Sequence, residues 1–452
     1  MTHSIPRLHP GRSFRDATDY LYRLPRGAKS SGLARAGEFY DRLGTPQDAV
    51  RTVHVAGTAG KGSVSTFLAS ILDAHGWRVG AHLSPHVRSI LERFQVAGAP
   101  ITECAFLDLV DRIAPVAEGM ADSDVGMPTF FEVANAIAFA HFASVPVDYA
   151  VIETGIGGLL DATNTIRRPD KLAVITRIGL DHTDMLGDTE SAIARHKAGI
   201  LPRGGHGIAL RHPSREVRRT IATVAQERRC VLDQLDDRAI SCDISAAGTH
   251  VRLHDSEPMK LGLEGRHQGV NAALALRAAE FLAARDGWSL DPAGVRDGLA
   301  DATLPGRFER RTTVDGQQLV LDGAHNAVKL AALTSTLQDL YPGQRSTWVL
   351  AFKDDKDIDA ALAALAPSAA GIVATEFRET GGGTGAASCM PARKVAERAR
   401  THGLRSIAVE CPIEAVTMAR LVAGDAPVVV SGSFLLLSAV TSVLEPARSA
   451  HR

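Results

Sequence analysis

Short apolar, β-branched runs alternate with stretches of helical period through most of this chain, the pattern of a parallel sheet with crossover helices. The first such unit is Val53 to Pro85. Val53 to Ala56 suits a buried strand. After the glycine-rich stretch Gly57 to Gly62, apolar residues fall at Val64, Phe67, Leu68, Ile71 and Leu72, one face of a helix. A second strand leads to Leu83 and Ser84. Upstream, residues 14–46 read as one or two helices around a solvated connector at 26–31. Downstream, 101–116 reads as a helix and 121–127 as a polar loop. Phe130 to Ala143 is apolar nearly all round and predicts a buried helix. Buried strands at Tyr149 to Ile152 and Leu172 to Thr176 follow, then a helix at 189–201. From 229 to 262 the pattern becomes short alternation, as in Thr249 to Leu253, which predicts small antiparallel strands. Helices are expected at 270–284 and 288–302, the latter with Pro292 near its start.

Leu304 to Arg307 reads as a domain boundary. Beyond it a new αβ series begins, with strands at 319–321, 347–352, 371–375, 406–409 and 428–430. A helix is expected at 327–340, and another closes the chain after Ser431-Gly432-Ser433. The predicted class is α/β. A P-loop-containing parallel-sheet domain with a small β subregion spans 1–304, a linker 305–311, and a smaller Rossmann-like domain 312–452. The glycines at 381–383 mark a flexible loop with no role readable from its sequence. No internal repeat is visible.

Composition narrows the class of partner. Hydrophobic residues make up 45% and charged residues 22%, ordinary for a globular chain with a large core. Its length, 452 residues, favours two or three domains. With 50 basic and 51 acidic residues the net charge is −1, which gives no electrostatic case for nucleic acid or a membrane as the main partner. The first twenty residues lack an apolar core of signal-peptide length, and no apolar run approaches a membrane span. Cys104, Cys230, Cys242, Cys389 and Cys411 are scattered without a Cys-x-x-Cys pair. Reduced thiols and a cytoplasmic location are expected.

The candidate chemistry gathers at strand ends. A loop that wraps a phosphate must turn tightly and present its N–H groups, which a Cβ would obstruct. Gly57, Gly60 and Gly62 meet that need, with the Thr58 N–H between them, and the following helix start favours an anion. Lys61 adds a point charge, and the Ser63 hydroxyl a magnesium ligand. The plainer alternative is a glycine-rich turn with an incidental lysine, since Gly62 separates Lys61 from Ser63. Glu153 ends an apolar strand, so it is either a water-facing cap or a ligand-facing carboxylate. Asp181 and His182 arrive at the same edge after another strand. Ser63, Ser84 and Glu153 offer the oxygen donors magnesium prefers, whereas His182 is a less usual ligand for it. By pattern alone Lys197, near a helix end, should be solvated.

These residues, in order, resemble the folylpolyglutamate synthase/dihydrofolate synthase family within the Mur-type ATP-dependent amide ligases. The matching stretches are Gly57 to Ser63, Ser84-Pro85-His86 with Glu92-Arg93, Thr129 to Glu132, Glu153 to Asn164, and Ile178 to Thr183 with Leu186-Gly187. They continue through Lys197 to Ile200, His267-Gln268 with Asn271 to Ala273, Gly306 to Phe308, Asp322 to Asn326, and Ser431 to Ser433. The resemblance implies an ATP-binding first domain and a ligase that makes an amide between L-glutamate and a folate or pteroate carboxylate, with ADP and phosphate released. It implies that Lys61 and the loop amides hold ATP phosphates. Ser63, Ser84, Glu153 and His182 would hold two Mg2+ ions, and Lys197 would carry a carbamate. Asn271, Arg307, Asp322 and His325 would contact nucleotide, the last two from the second domain. Lys61, His182 and Lys197 would be catalytic, and the enzyme a monomer. The chain departs from the family's pattern at Ala59 (usually Asn), Leu159 (Arg), His196 (Glu) and Ala327 (Pro). Those departures leave two alternatives open: a ligase of the same mechanism with a non-folate acceptor, or a nucleotide-binding paralogue without turnover.

Overall fold

The structure is a computed structural model that describes residues 12–25, 32–245, 247–253, 257–378 and 388–444. The connector expected at 26–31 and the glycine loop at 381–383 lie outside the described residues. The first sheet contains β1 (Arg51–Ala56), β2 (Val79–His82), β3 (Phe94–Val96), β4 (Ala99–Pro100), β5 (Tyr149–Glu153), β6 (Leu172–Ile175), β7 (His206–Leu210) and β8 (Val231–Leu235). Their order across the sheet is β4-β3-β2-β5-β1-β6-β7-β8. From β2 to β8 every pairing is parallel; β3 and β4 run antiparallel at one edge. β1 therefore sits mid-sheet, where the connections diverge to either side. Ligands of open α/β sheets bind beyond the carboxyl ends of strands at such a point.

Both faces of this sheet are covered, which is why its strands read as continuous apolar runs. Along β5, Tyr149 and Val151 face one core while Ala150 and Ile152 face the other. The first core lies under the Lys61–Ala74 helix, where Val64, Phe67, Leu68, Ile71 and Leu72 are all fully shielded from solvent. Burying each such side chain contributes about 1.5–3 kcal/mol. The second core explains the helix that is apolar all round. Phe130–Ser144 is sandwiched between the sheet and the Phe14–Arg23 and Glu103–Glu118 helices. Its start is set by a capping box in which Thr129 and Glu132 bond each other's backbone N–H groups.

One expectation fails at 229–262. β8 is not a small antiparallel strand; it extends the main sheet, parallel to β7. Only β9 (Ile240–Ser245), β10 (Gly248–Leu253) and β11 (Met259–Lys260) form the separate antiparallel sheet. Among the described residues β8 is an edge strand with one neighbour, and its partly exposed sequence Val-Leu-Asp-Gln-Leu mimics a half-solvated hairpin strand.

The second large sheet contains β12 (Glu309–Thr312), β13 (Gln318–Leu321), β14 (Ser346–Leu350), β15 (Ala369–Ala374), β16 (Ser406–Ala408) and β17 (Val428–Ser431), in the order β12-β13-β17-β14-β15-β16. All pair in parallel except β12, which lies antiparallel to β13 at the edge. β12 overlaps the stretch read as linker, so this sheet begins two residues after Arg307. Arg88, from the loop after β2, bonds Glu309 of β12 at 2.6 Å. Arg266 holds Asp339 through Nε and Nη2 at 2.8 and 2.9 Å. These pairs join the two units. No helix among the described residues is long and apolar enough to cross a membrane.

Candidate active site

β1 ends at Ala56 and the next helix starts at Lys61, so four residues make the whole turn. The turn is fastened to the end of β6. The Thr176 hydroxyl donates to the Ala59 carbonyl (2.7 Å), and the Thr58 N–H donates to the Arg177 carbonyl (2.8 Å). The Thr58 hydroxyl donates to the Gly179 carbonyl at 2.9 Å. Gly57 has to be glycine, because a Cβ there would stand 1.7 Å from Thr176 Oγ1. Gly60 has φ +89°, and a Cβ would meet Asn271 Oδ1 at 2.4 Å. Asn271 thus lies beneath the loop, steadied by donating to Gln268 Oε1 at 2.9 Å. Gly60→Ala combines backbone strain of about 1–3 kcal/mol with that clash. The expected result is an ADP affinity lowered at least about tenfold in titration calorimetry. Unchanged affinity would show that the loop relaxes freely.

Two ammonium groups meet on one carbonyl. Lys61 Nζ donates to the Gly57 carbonyl at 3.2 Å, and Lys197 Nζ donates to the same oxygen at 2.8 Å. Lys61 Nζ also lies 3.9 Å from Glu153 Oε1. Glu153, at the end of β5, is buried and accepts the Ser84 N–H at 3.0 Å. Burial raises its carboxyl pKa, opposed by Lys61 and the Ser84 N–H. The expectation of a solvated Lys197 is wrong, since the residue is 3% exposed. It shares the buried face of the Glu190–Ala198 helix with Ile193, Ala194 and Ala198. Burial first, and then the neighbouring Lys61, push its pKa down to about 7. The signal was present in the sequence: positions 193, 194, 197 and 198 are one helical face.

His182 follows β6 in the left-handed region, with φ 50°. Its side chain is exposed and its Nε2 lies 3.8 Å from Asp181 Oδ1. Burial of part of the ring and the charges of Lys61, Lys197 and Lys329 lower its pKa, while Asp181 raises it. Across the cleft, Asp322 ends β13 and accepts N–H groups from Phe308 and Ala324, both at 2.7 Å. Arg307 lies over the Phe434 ring at 4.3 Å and acts electrostatically on both Asp322 and Glu153. His325 donates from Nδ1 to the Gly323 carbonyl at 2.8 Å.

The loop, Lys61, Lys197, Glu153, His182 and Arg307 therefore share one electrostatic neighbourhood, with Asp322 and His325 on its far wall. Ser63 is buried in the first turn of its helix and Ser84 stands beside Glu153. Among the described residues no three or more His, Cys, Asp or Glu side chains converge to hold a metal by themselves. One buried carboxylate among hydroxyls fits a hard cation that arrives with phosphate oxygens and water completing its shell. The departures at Ala59 and Leu159 leave the loops intact. Both residues are held through backbone groups, Ala59 by Thr176 and Leu159 by the His196 carbonyl and Asn164. Thr176 and Lys329 carry roles that the sequence reading did not assign. Lys329 stands four residues after His325, in the first turn of the Ala327–Leu340 helix, and no period or motif in the sequence singles it out.

Comparison with known proteins agrees with this geometry. Residues 55–279 match the Mur ligase middle domain, and residues 306–434 match the Mur ligase, glutamate ligase domain. The chain is 35% identical over 353 residues to a dihydrofolate synthase/folylpolyglutamate synthase of Bacillus subtilis, covering 76% of this chain and 80% of that protein. It is 30% identical over 443 residues to a folylpolyglutamate synthase of Lacticaseibacillus casei, covering 96% and 99%. A solved Mycobacterium tuberculosis folylpolyglutamate synthase complexed with ADP superposes with a TM-score of 0.84 at 29% identity, over 96% of this chain and 98% of that one.

Proposed function

The chain belongs to the Mur ligase family, in its folylpolyglutamate/dihydrofolate synthase branch, and we propose that its site joins L-glutamate to a folate or pteroate carboxylate. It is an ATP-dependent ligase. The observation that carries the assignment of roles is the pairing of Lys61 and Lys197 on the Gly57 carbonyl, with Glu153 3.9 Å from Lys61. A carboxylate is a poor acyl donor, so its oxygen first takes the γ-phosphoryl of ATP, giving an acyl phosphate and ADP. The amino group of glutamate then attacks the carbonyl carbon, and phosphate leaves. Lys61 and the loop amides hold the phosphates in line for the first step. Ser63, Ser84, Glu153 and His182 would hold magnesium, which supplies neutralisation of phosphate charge when bound. Arg307 from the linker, and Asp322 and His325 from the 312–452 unit, would complete the nucleotide site, so reaction requires the two units together and water is kept from the acyl phosphate.

Lys197 fits a carbamate. Addition of CO2 needs a neutral amine and releases a proton, and burial beside Lys61 favours the neutral form. The product would turn a cation into an anion next to Lys61. We read the enzyme as a cytoplasmic monomer, with 1–304 and 312–452 as its working parts.

The test is phosphate release from ATP with magnesium, L-glutamate and either dihydropteroate or tetrahydrofolate. Release that depends on both glutamate and a pterin acceptor is expected. Absence of turnover with either acceptor at high enzyme concentration would refute the folate assignment.

A further inference from the structure

Lys329 breaks a local rule. It lies in the first turn of the Ala327–Leu340 helix, where its backbone N–H donates to the Asn326 cap at 3.0 Å. That turn is the positive end of the helix dipole and holds no acidic residue. A half-buried cation there is unfavourable unless an anion comes with it.

Its hydrogen-bond partner does not supply that anion. The ammonium donates to His325 Nε2 at 3.2 Å. A carbonyl can only accept, so His325 carries its proton on Nδ1, facing Gly323, and presents a lone pair to Lys329. Burial and Lys329 itself keep this imidazole neutral, with a pKa pushed down to about 4. The charges acting on Lys329 are Asp181 in its favour and Arg307, Lys61 and Lys356 against it. Asp181 is also shared with His182, His325 and Lys61. Lys61 and Lys329, one from each unit, thus share Asp181, while Arg307 and Lys356 add to the positive charge around Lys329. Lys61 marks the phosphate loop of the first unit, and Lys329 faces it from the second.

We propose that Lys329 binds the phosphoryl group in transit between ATP and the acceptor carboxylate, opposite Lys61. This rests on the ligase reading above. In the first step the bond from the β–γ bridging oxygen to the γ-phosphorus breaks, and the bond from the carboxylate oxygen to that phosphorus forms. In the second the C–N bond forms, the C–O bond breaks with its electron pair going to the phosphate oxygen, and the proton the amine loses leaves with the phosphate as HPO4(2−). Lys329 keeps its proton throughout and contacts non-bridging oxygens of the moving group. A ligand that ends at the β-phosphate does not reach it.

The full-length Lys329→Met and Lys329→Arg variants test this with two ligands, ADP and a methylene-bridged ATP analogue, titrated with magnesium. Met is expected to weaken the analogue at least about tenfold, as for loss of a charge-assisted hydrogen bond, and ADP by less than about threefold. Its kcat should fall in parallel, and Arg should recover most of both. Equal weakening of ADP and the analogue would overturn the proposal, because Lys329 would then act only by holding His325. No weakening of either would overturn it too. Thermal melting checks the fold, and Lys329→Gln replaces Met if Met does not fold. Failure of the ligase reading would appear separately, as wild-type enzyme that binds both nucleotides yet shows no acceptor-dependent phosphate release.

Discussion

Replacing Lys197 with alanine is expected to lower kcat by roughly 10²–10³-fold, and formate or acetate is expected to restore part of it. The residue is buried on the inner face of its helix and reaches the Gly57 carbonyl that also holds Lys61. As a plain ammonium it would add a second positive charge beside Lys61, and alanine would relieve that repulsion. As a carbamate it is an anion, and alanine leaves Lys61 and the metal site short of one. Rescue by a small carboxylate separates the two cases, since only a missing anion can be replaced by one. The pH dependence follows from its pKa of about 7. A lysine with its pKa lowered this far is largely neutral above pH 7 and protonated below it. Only the neutral amine takes up CO2. Stripping CO2 from the buffer is therefore expected to reduce activity, most severely below about pH 7. Labelled bicarbonate should give a carbamate signal by carbon NMR in the wild type and none in Lys197→Ala. Full activity in that variant would remove the carbamate role.

The strands and helices nearest the site were the most legible parts of the sequence. Val53 to Ala56 and the Phe67 face each obey one period, and burial on both sides leaves no competing signal. β8 was misread because an edge strand has one partner and a wetter face, so its pattern carries less information. The failure at Lys197 has another cause. Its apolar neighbours 193, 194 and 198 place it on the buried face, against the general tendency of lysines to snorkel. The resemblance to a family supplied what pattern withheld. Lys329 was invisible to both, because its meaning lies in charges from Asp181, Lys61 and Arg307, which are far apart in sequence. Long-range electrostatics has no period, and only the folded chain displays it.

Glu153→Gln is expected to cost roughly 10²–10³-fold in kcat and to raise the magnesium concentration needed for half-maximal activity. Glutamine keeps the shape and can still accept the Ser84 N–H, so the loop after β2 should hold its place. What it loses is charge. In the wild type that charge is buried, 3.9 Å from Lys61, in surroundings that disfavour it. A carboxylate kept there against desolvation is useful if it faces a cation that comes and goes with the substrate. This leads to opposite effects in two titrations. With magnesium, nucleotide affinity should fall in Glu153→Gln. With magnesium chelated, it should hold or rise, because a negative charge near the phosphates has gone and Lys61 is freed to meet them. A purely structural Glu153 would weaken both titrations alike. Parallel losses, or an unchanged magnesium dependence, would therefore mean that Glu153 only holds Lys61 and Ser84 in place, and the metal role would have to be given up.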